Sequence, residues 1–387
     1  MTDAWTLHTG LCELGSNSSR GVTGWRLYSE NHMAVDLKTF LAGAAAGAGL
    51  AVALSLWRRR TLPPRSALRA HAPMDTVGVL SAGNVAVIIG SASGIGRAAA
   101  LRCASLKMKI CLCDIEVDEA KAVAAECAAA GAQDTFVQKC DVRLERQVLM
   151  AQQLAFKKWG KVHLLMNNAA VQTNGRCGPY EYPDRWKRIL ETNLGGVYHG
   201  CLAFVPPMIA QGEAAVVVNT GSKQGITAPP GDTAYNVSKA GVKVLTEALQ
   251  HKLRTTPDCR VNAFLLVPGF TATMINTRGD KWVEGDAWKP ESARNEREYD
   301  GVQDAAVAAQ KFAARGAWPA SRVVDELFAA IDAGGPFYVL CEDGETTAAQ
   351  DNGRMQWAAD DLIFRRAPLS RWSDEFKEEY KRVAAGF

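Results

Sequence analysis

From residue 84 onward, the sequence alternates short apolar runs with longer segments of helical periodicity. Three of the runs are 85–90 (VAVIIG), 109–114 (KICLCD) and 214–218 (AAVVV). Apolar runs of this length are typical of strands that are buried on both faces of a parallel sheet. The alternation therefore predicts an α/β fold built on a doubly wound parallel sheet. Such sheets bind their ligands at the carboxyl ends of the strands.

The intervening segments predict helices, one over about 144–159 and a long one over about 184–210 that Pro206 and Pro207 disturb. The chain of 387 residues is longer than a single doubly wound domain of about 250 residues requires. We therefore divide it into three parts: an N-terminal extension over 1–83, one α/β domain over 84–345 and a C-terminal tail over 346–387.

The N-terminal extension contains an uncharged stretch, FLAGAAAGAGLAVALSLW at 40–57, followed at once by Arg58, Arg59 and Arg60. Its length is at the short end of what spans a bilayer, about 17–25 residues. We interpret 40–57 as a membrane anchor joined to the domain by a linker over 58–83. The basic C-terminal flank would then leave the domain facing the cytoplasm. Two other interpretations stay open, an organelle-targeting leader and a helix of a soluble cytoplasmic protein.

Charge and cysteine content exclude some classes of function. The 44 basic and 41 acidic residues nearly balance, so nothing in the composition predicts a nucleic-acid partner. The ten cysteines are scattered, without a CxxC pair or a histidine cluster at metal-ligand spacing, so we expect no metal site. Thiols in this arrangement are typical of a reducing compartment.

A candidate acid/base pair follows the run at 214–218. Tyr235 and Lys239 are four residues apart in a segment of helical character, which places them on one face of a helix. An unperturbed phenol, with a pKa of about 10, is a poor acid or base at neutral pH. We expect the Lys239 ammonium to lower the pKa of Tyr235 toward neutrality. Ser222, in the loop that leaves the strand, offers a hydroxyl to a substrate oxygen.

A glycine-rich loop follows the first apolar run and opens a helix. Its GxxxGxG spacing lets the backbone turn tightly and approach a pyrophosphate at the helix N-terminus, as in a Rossmann fold; the glycines are Gly90, Gly94 and Gly96. Asp114, at the end of the second run, lies where an acid binds the adenosine ribose and repels a 2′-phosphate. Because neither Ser93 nor Ile115 is basic, we expect NAD in preference to NADP.

The spacing Ser…Tyr-x-x-x-Lys, with Ser222 thirteen positions before Tyr235, resembles the short-chain dehydrogenase/reductase family in its TGxxxGxG/YxxxK subgroup. GSASGIG at 90–96 is similar to the TGxxxGIG loop of that family, with Ile89 in place of the usual threonine. The resemblance is close over about 84–270 and looser to about 341.

The resemblance also implies cofactor contacts beyond the glycine-rich loop. Asp141 and Val142 match a pair that contacts adenine, Asn168 lies in a segment similar to NNAG, and 268–273 resembles the PGxxxT motif that closes over the nicotinamide. The implied cofactor-binding residues are Gly90, Ser93, Gly94, Ile95, Gly96, Asp114, Asp141, Val142, Asn168, Tyr235, Lys239, Pro268, Gly269, Thr271 and Thr273.

Catalytic roles are implied in the same way. Tyr235 would exchange a proton with the substrate oxygen, Lys239 would lower the pKa of that tyrosine and bind the nicotinamide ribose, and Ser222 would hold the substrate oxygen. Asn193 matches a fourth residue, an asparagine that holds a water and so relays protons from the lysine. The predicted catalytic residues are thus Asn193, Ser222, Tyr235 and Lys239.

We therefore predict an oxidoreductase that transfers a hydride between NAD(H) and an alcohol or carbonyl group of a small molecule. Two alternatives stay open, a catalytically inactive cofactor-binding scaffold and a non-redox epimerase or lyase. By family analogy the chain forms a homo-oligomer, a dimer or a tetramer. The tail over 346–387 could cap the substrate mouth or pack on a neighbouring subunit, and the sequence leaves both open.

Overall fold

The structure, a computed structural model, describes residues 73–172, 177–273, 275 and 305–384. The apolar stretch at 40–57 lies outside these ranges, so the anchor, the leader and the cellular location stay predictions. Among the described residues, no helix combines the length and the apolar character that a membrane crossing requires.

A parallel sheet of seven strands forms the centre of the described part of the chain, in the order β3-β2-β1-β4-β5-β6-β9. The order reverses between β1 and β4, which is where a doubly wound sheet opens a crevice for a ligand. The strands are β1 (Val85–Ile89), β2 (Lys109–Asp114), β3 (Asp134–Lys139), β4 (Leu164–Asn167), β5 (Ala215–Thr220), β6 (Val261–Val267) and β9 (Tyr338–Leu340). A separate parallel pair joins β7 (Thr271–Ala272) to β8 (Trp318–Pro319).

Helices connect the strands and cover both faces of the sheet. The described helices are α1 (Gly94–Ser105), α2 (Val117–Ala129), α3 (Glu145–Trp159), α4 (Pro183–Leu190), α5 (Gly196–Ala210), α6 (Gln224–Thr227), α7 (Thr233–Thr255), α8 (Ala305–Ala314), α9 (Ala320–Asp332), α10 (Ala348–Ile363) and α11 (Lys377–Ala384). Helix α3 begins one residue after the predicted start and ends where the sequence predicts, at Trp159.

Alternate residues of each strand project to opposite faces, and each face has its own core. Ala86 and Ile88 of β1 pack with α1, α2 and α9, whereas Val85, Val87 and Ile89 pack with α3, α5 and α7. All five residues of β1 are buried, as are all those of β4 and β5. A strand that is buried on both sides favours apolar residues on both faces, which is why these runs show no polar alternation before their last residues, Asn167 in β4 and Asn219 and Thr220 in β5. The doubly wound parallel sheet is confirmed.

The long helix predicted over 184–210 is divided, and the division does not occur where we expected it. A π-helical segment, Glu191–Gly195, separates α4 from α5, while Pro206 and Pro207 lie inside a continuous α5. A proline loses its own N–H but keeps its carbonyl, and the Gln211 N–H donates to the Pro207 carbonyl at 3.0 Å. The helix therefore continues past the prolines, and its wide turn falls at the predicted catalytic Asn193.

Candidate active site

The carboxyl ends of β1, β2, β4, β5 and β6 border a cavity of about 560 Å³. This volume is typical of small-molecule sites, which range over about 300–1,000 Å³. Of the predicted site residues, all of them in the described ranges, Gly96 and Asn193 lie outside the cavity lining. The predicted residues that line it are Gly90, Ser93, Gly94, Ile95, Asp114, Asp141, Val142, Asn168, Ser222, Tyr235, Lys239, Pro268, Gly269, Thr271 and Thr273.

The glycine-rich loop forms a cradle in which side chains have no room. Gly90 has a φ of +86°, and a Cβ there would meet the backbone of Ala169. A Cβ at Gly96 would collide with the carbonyl oxygen of Gly90 and with the amide of Asn168. Gly96 does not line the cavity itself. Because it has no Cβ, it lets α1 approach the glycine-rich loop closely. The cradle fits a pyrophosphate that lies on the backbone at a helix N-terminus.

The carboxylate of Asp114 lies at the end of β2, beside this cradle. It accepts hydrogen bonds from the backbone N–H of Ala92 at 2.8 Å and of Glu116 at 3.0 Å. Burial raises the pKa of Asp114, and these backbone hydrogen bonds act in the opposite direction. Each carboxylate oxygen has a second lone pair, which can accept from a hydroxyl in the cavity. Together with the glycine cradle, Asp114 fits the adenosine ribose of a nicotinamide dinucleotide.

Tyr235, Lys239 and Ser222 line the same cavity, where β5 ends and α7 begins. The Nζ atom of Lys239 lies 5.7 Å from the centroid of the Tyr235 ring and donates to the Thr220 carbonyl at 2.8 Å. The Ser222 side chain lies near enough to Tyr235 to lower the pKa of its phenol. The Ser222 hydroxyl also accepts from the backbone N–H of Gln224 at 3.1 Å, which fixes its position.

The pKa of Tyr235 does not shift in the direction that we predicted. Burial raises it to about 12, and the hydrogen bond with Ser222 lowers it less than burial raises it. Lys239 is buried as well, and burial lowers its pKa to about 7. A lysine with a pKa of about 7 is charged in only about half of the molecules at pH 7, which weakens its effect on a phenolate, and desolvation dominates the pKa of Tyr235.

Asn193 is placed differently from the other predicted catalytic residues. Its side chain is fully buried in the π-helical segment. The amide oxygen accepts from the backbone N–H of Val171 at 2.8 Å. The amide nitrogen donates to the Val171 carbonyl at 2.9 Å and to the Ser238 hydroxyl at 3.1 Å. These contacts tie the π-helical segment to α7 and to the loop after β4, so the side chain of Asn193 positions the site from outside the cavity.

Asp343, after the last strand of the sheet, connects several parts of the site, and the sequence did not single it out. One carboxylate oxygen accepts from the backbone N–H of Phe270 at 2.9 Å and from the Lys223 ammonium at 3.0 Å. The other accepts from the Thr346 hydroxyl and the Glu345 N–H, each at 2.9 Å. These hydrogen bonds and the charge of Lys223 hold the pKa of Asp343 below its usual value, against the effect of burial. The carboxylate thus joins the loop after β6, the loop with Ser222 and the tail.

The tail also lines the cavity, as a cap over the substrate mouth would require. Arg354 of α10 contributes to the lining, as do Arg371 and Trp372 beyond it. An ion pair of 2.5 Å between Lys223 and Asp351 joins α10 to the residue that follows Ser222. The sequence contains no local pattern that would predict these as site residues, because they come together only through the packing of α10 beside α6.

The fold and the site define a Rossmann-type dinucleotide-binding protein with a Ser-Tyr-Lys group at the cavity. A profile of the short chain dehydrogenase family matches residues 84–284, just over half of the 387 residues. The chain therefore belongs to the short-chain dehydrogenase/reductase family.

Two curated proteins and one solved structure illustrate the relationship. The chain is 37% identical over 171 residues to the putative oxidoreductase SadH of Mycobacterium tuberculosis, which covers 44% of this chain and 61% of that protein. It is 31% identical over 207 residues to a 3-alpha-(or 20-beta)-hydroxysteroid dehydrogenase of Mycobacterium bovis, which covers 54% of this chain and 75% of that protein. The chain therefore spans about three fifths of the length of SadH.

The solved structure is a short chain dehydrogenase/reductase from Burkholderia phymatum in complex with NAD. It is 33% identical, with a TM-score of 0.61 over 74% of this chain and 96% of that protein. The family and this complex support a nicotinamide cofactor for the cavity described above.

Proposed function

We propose that the protein is an NAD-dependent dehydrogenase or reductase that acts on a CH–OH group or the corresponding carbonyl. The observation that supports this most directly is that Ser222, Tyr235 and Lys239 line the same cavity as the glycine cradle and Asp114. A cofactor-binding scaffold has no need of a buried tyrosine and a buried lysine on one helix face beside its cofactor.

Each residue of the group has a defined task in this proposal. A bound nicotinamide supplies or accepts the hydride. The phenol of Tyr235, protonated at neutral pH, donates its proton to the oxygen of a carbonyl substrate; in the opposite direction the phenolate, formed when that proton has left, accepts the proton of an alcohol. The Ser222 hydroxyl holds that oxygen as charge develops on it. Lys239, fixed by the Thr220 carbonyl, is placed to bind ribose hydroxyls.

The preference for NAD over NADP rests on Asp114. Its partly buried carboxylate would lie against a 2′-phosphate and repel it. Arg143, a cation of the same lining, is paired with Asp141 through contacts of 2.6, 3.0 and 3.2 Å. Both observations favour a free 2′-hydroxyl in this part of the cavity.

A titration of the full chain with NADH and with NADPH, followed by nicotinamide fluorescence, tests the cofactor. We expect NADH to bind about tenfold more tightly, which corresponds to about 1.4 kcal/mol. Tighter binding of NADPH would overturn the role of Asp114. Binding of neither cofactor would favour the scaffold alternative.

The chemistry is tested by Tyr235→Phe, with secondary alcohols and hydroxysteroids as the first substrates because of the hydroxysteroid dehydrogenase relative. We expect turnover to fall at least 100-fold, the usual contribution of a positioned acid/base, while NADH affinity changes little. A variant as active as the wild type would exclude Tyr235 as the acid/base. Product formation without net change in NADH would favour the epimerase or lyase alternative.

We also propose that the chain forms a homo-oligomer and that 40–57 attaches it to a membrane. Exposed apolar residues on α5 (Tyr198 and Leu202) and α7 (Val237 and Val244) support pairing through these two helices. Light scattering of the purified protein measures the mass of the assembly and so tests the homo-oligomer.

The anchor is tested by carbonate extraction of membranes. We expect the full chain to pellet with the membranes and residues 75–387 to be released; release of both would refute the anchor.

A further inference from the structure

One wall of the cavity, formed by the tail together with Lys223, carries more positive charge than its acids neutralise. Lys223, Arg354 and Arg371 lie on this wall, and the first two are paired with acids. Lys223 pairs with Asp343 at 3.0 Å and with Asp351 at 2.5 Å. Arg354 pairs with the same Asp351 at 3.8 Å. Three cations thus share two carboxylates.

Arg371 is the cation of this group with the least satisfied side chain. Its Nη1 atom is buried and has no hydrogen-bond partner. The guanidinium lies over the ring of Trp372 at 4.4 Å and near the ring of Tyr380 at 5.8 Å. Burial lowers the pKa of Arg371, and the nearby Arg354 acts in the same direction. A buried guanidinium without a carboxylate partner is costly, and an anion in the cavity that Arg371 lines would supply the missing charge.

This wall belongs to the substrate side of the cavity. Helix α10, which carries Arg354, packs against α6, and α6 begins two residues after Ser222. Thr227 and Pro229, at the end of α6 and just beyond, line the cavity with Arg371. The predicted cofactor contacts, by contrast, all precede residue 274 and come from the strand ends, the loops that follow them and the helices α1 and α7.

We propose that the substrate carries an oxyanion, a carboxylate or a phosphate, that binds Arg371 and Arg354 while its hydroxyl or carbonyl group lies at Tyr235 and Ser222. The proposal rests on the function proposed above, and it restricts the substrate to alcohols or carbonyl compounds that also carry an acidic group. A guanidinium matches the geometry of both oxyanions, because it can donate two parallel hydrogen bonds. The ring of Trp372 would cover the apolar part of such a substrate.

The test compares ligands that differ mainly in charge. Phenylacetate, phenyl phosphate and the neutral phenylacetamide are titrated by calorimetry into the full chain, with and without saturating NADH. We expect at least one anion to bind tenfold or more tightly than the amide. The stronger of the two anions identifies the carboxylate or the phosphate as the natural group. Equal affinity for all three probes, or no binding of any, would overturn the proposal.

Matched variants assign the effect to the wall. Arg371→Gln is expected to abolish the preference for the anion, Arg371→Lys to retain part of it, and Arg382→Gln, an exposed arginine of α11, to leave it unchanged. An unchanged preference in Arg371→Gln would overturn the proposal. So would a tenfold loss of NADH affinity in that variant without a change in preference, since Arg371 would then bind the cofactor. Failure of the wild type to bind NADH tells against the proposed function instead, and the titrations without cofactor keep the two failures distinct.

Discussion

At the scale of single residues, the site combines a tyrosine that holds its proton with a lysine that releases its proton easily. Tyr235 and Lys239 are both buried, and burial moves their pKa values in opposite directions, to about 12 and to about 7. The sequence showed that the two side chains share a helix face. It could not show that burial outweighs their mutual influence, because burial depends on β5 and on α6 as well as on α7.

Lys239 makes the stability of the cofactor-free protein depend on pH. Below about pH 7 the native state bears the full cost of a buried ammonium. Between about pH 7 and the unfolded lysine pKa of 10.5, the unfolded chain binds more protons, so the free energy of unfolding rises with pH. We expect this rise to be about 1 kcal/mol between pH 7 and 8.5 relative to Lys239→Met, measured by urea denaturation. A difference between wild type and variant that is constant over this range would contradict the lowered pKa.

Asp343 offers a second prediction at this scale. Asp343→Asn replaces the carboxylate that accepts from the Phe270 N–H and the Lys223 ammonium by an amide that can also donate. The ammonium of Lys223 then has Asp351 as its ion-pair partner in place of two carboxylates. Loss of a partner in a buried ion pair costs about 3 kcal/mol or more. We expect destabilisation of this order, together with an increase in the substrate KM that exceeds any change in NADH affinity.

The control for this variant is Asp325→Asn, an exposed acid that contacts Arg102 at 3.4 Å. Exposed pairs contribute little, so its stability should change by less than about 1 kcal/mol. If the two variants lose the same stability, Asp343 does not connect the loops of the site.

At the scale of elements, the sequence was most informative where a strand is followed by a polar or glycine-rich loop. The loop at 90–96, Asp114 and Ser222 all follow strands of one parallel sheet, so the topology alone brings them to one edge. The π-helical segment at 191–195 was not predictable, because its residues have no sequence signal that distinguishes them from an ordinary helix. Its position depends on Asn193, whose amide binds the backbone of Val171 across the fold.

The close approach of α1 to the strand-end loop leads to a prediction for Gly96→Ala. The added methyl group would collide with the Gly90 carbonyl, so the loop or the helix must shift. We expect a loss of about 1–3 kcal/mol in stability, the usual cost of overpacking, and weaker NADH binding. Fluorescence titration and thermal denaturation provide the two measurements.

Gly195→Ala is the matched control, since a Cβ there has its nearest neighbour, the Leu190 carbonyl, at 3.6 Å. Its stability should be unchanged or slightly increased, because alanine favours helix more than glycine does. An equal effect of the two substitutions would show that the contact between α1 and the loop is not tight.

At the scale of the whole molecule, the tail is added to a sheet that is complete without it. The two large hydrophobic cores contain no residue of the described tail. Trp357, the buried aromatic residue of α10, instead donates to the Ser370 hydroxyl at 2.7 Å and lies 5.2 Å from the Tyr380 ring, both within the tail. Sequence composition alone could not tell a cap over the cavity from a surface that meets another subunit.

Removal of the tail after Thr347 tests this organisation. We expect the shortened chain to unfold cooperatively and to bind NADH within about threefold of the full chain, because the predicted cofactor contacts all precede residue 274. Substrate turnover should fall, because Arg354, Arg371 and Trp372 are lost. Circular dichroism, NADH titration and a turnover assay measure the three effects. An unfolded product would show that the tail is part of the folding unit.

The order of the cavity residues along the chain has a consequence for inheritance. The residues that we assign to the cofactor end at Thr273, whereas Asp343, Arg354 and Arg371 follow later in one contiguous stretch. A single recombination between the two parts of the gene would exchange these three residues of the wall and keep Lys223 together with the rest of the site. Descendants of this protein could therefore acquire a new substrate in one genetic step while their cofactor stays the same.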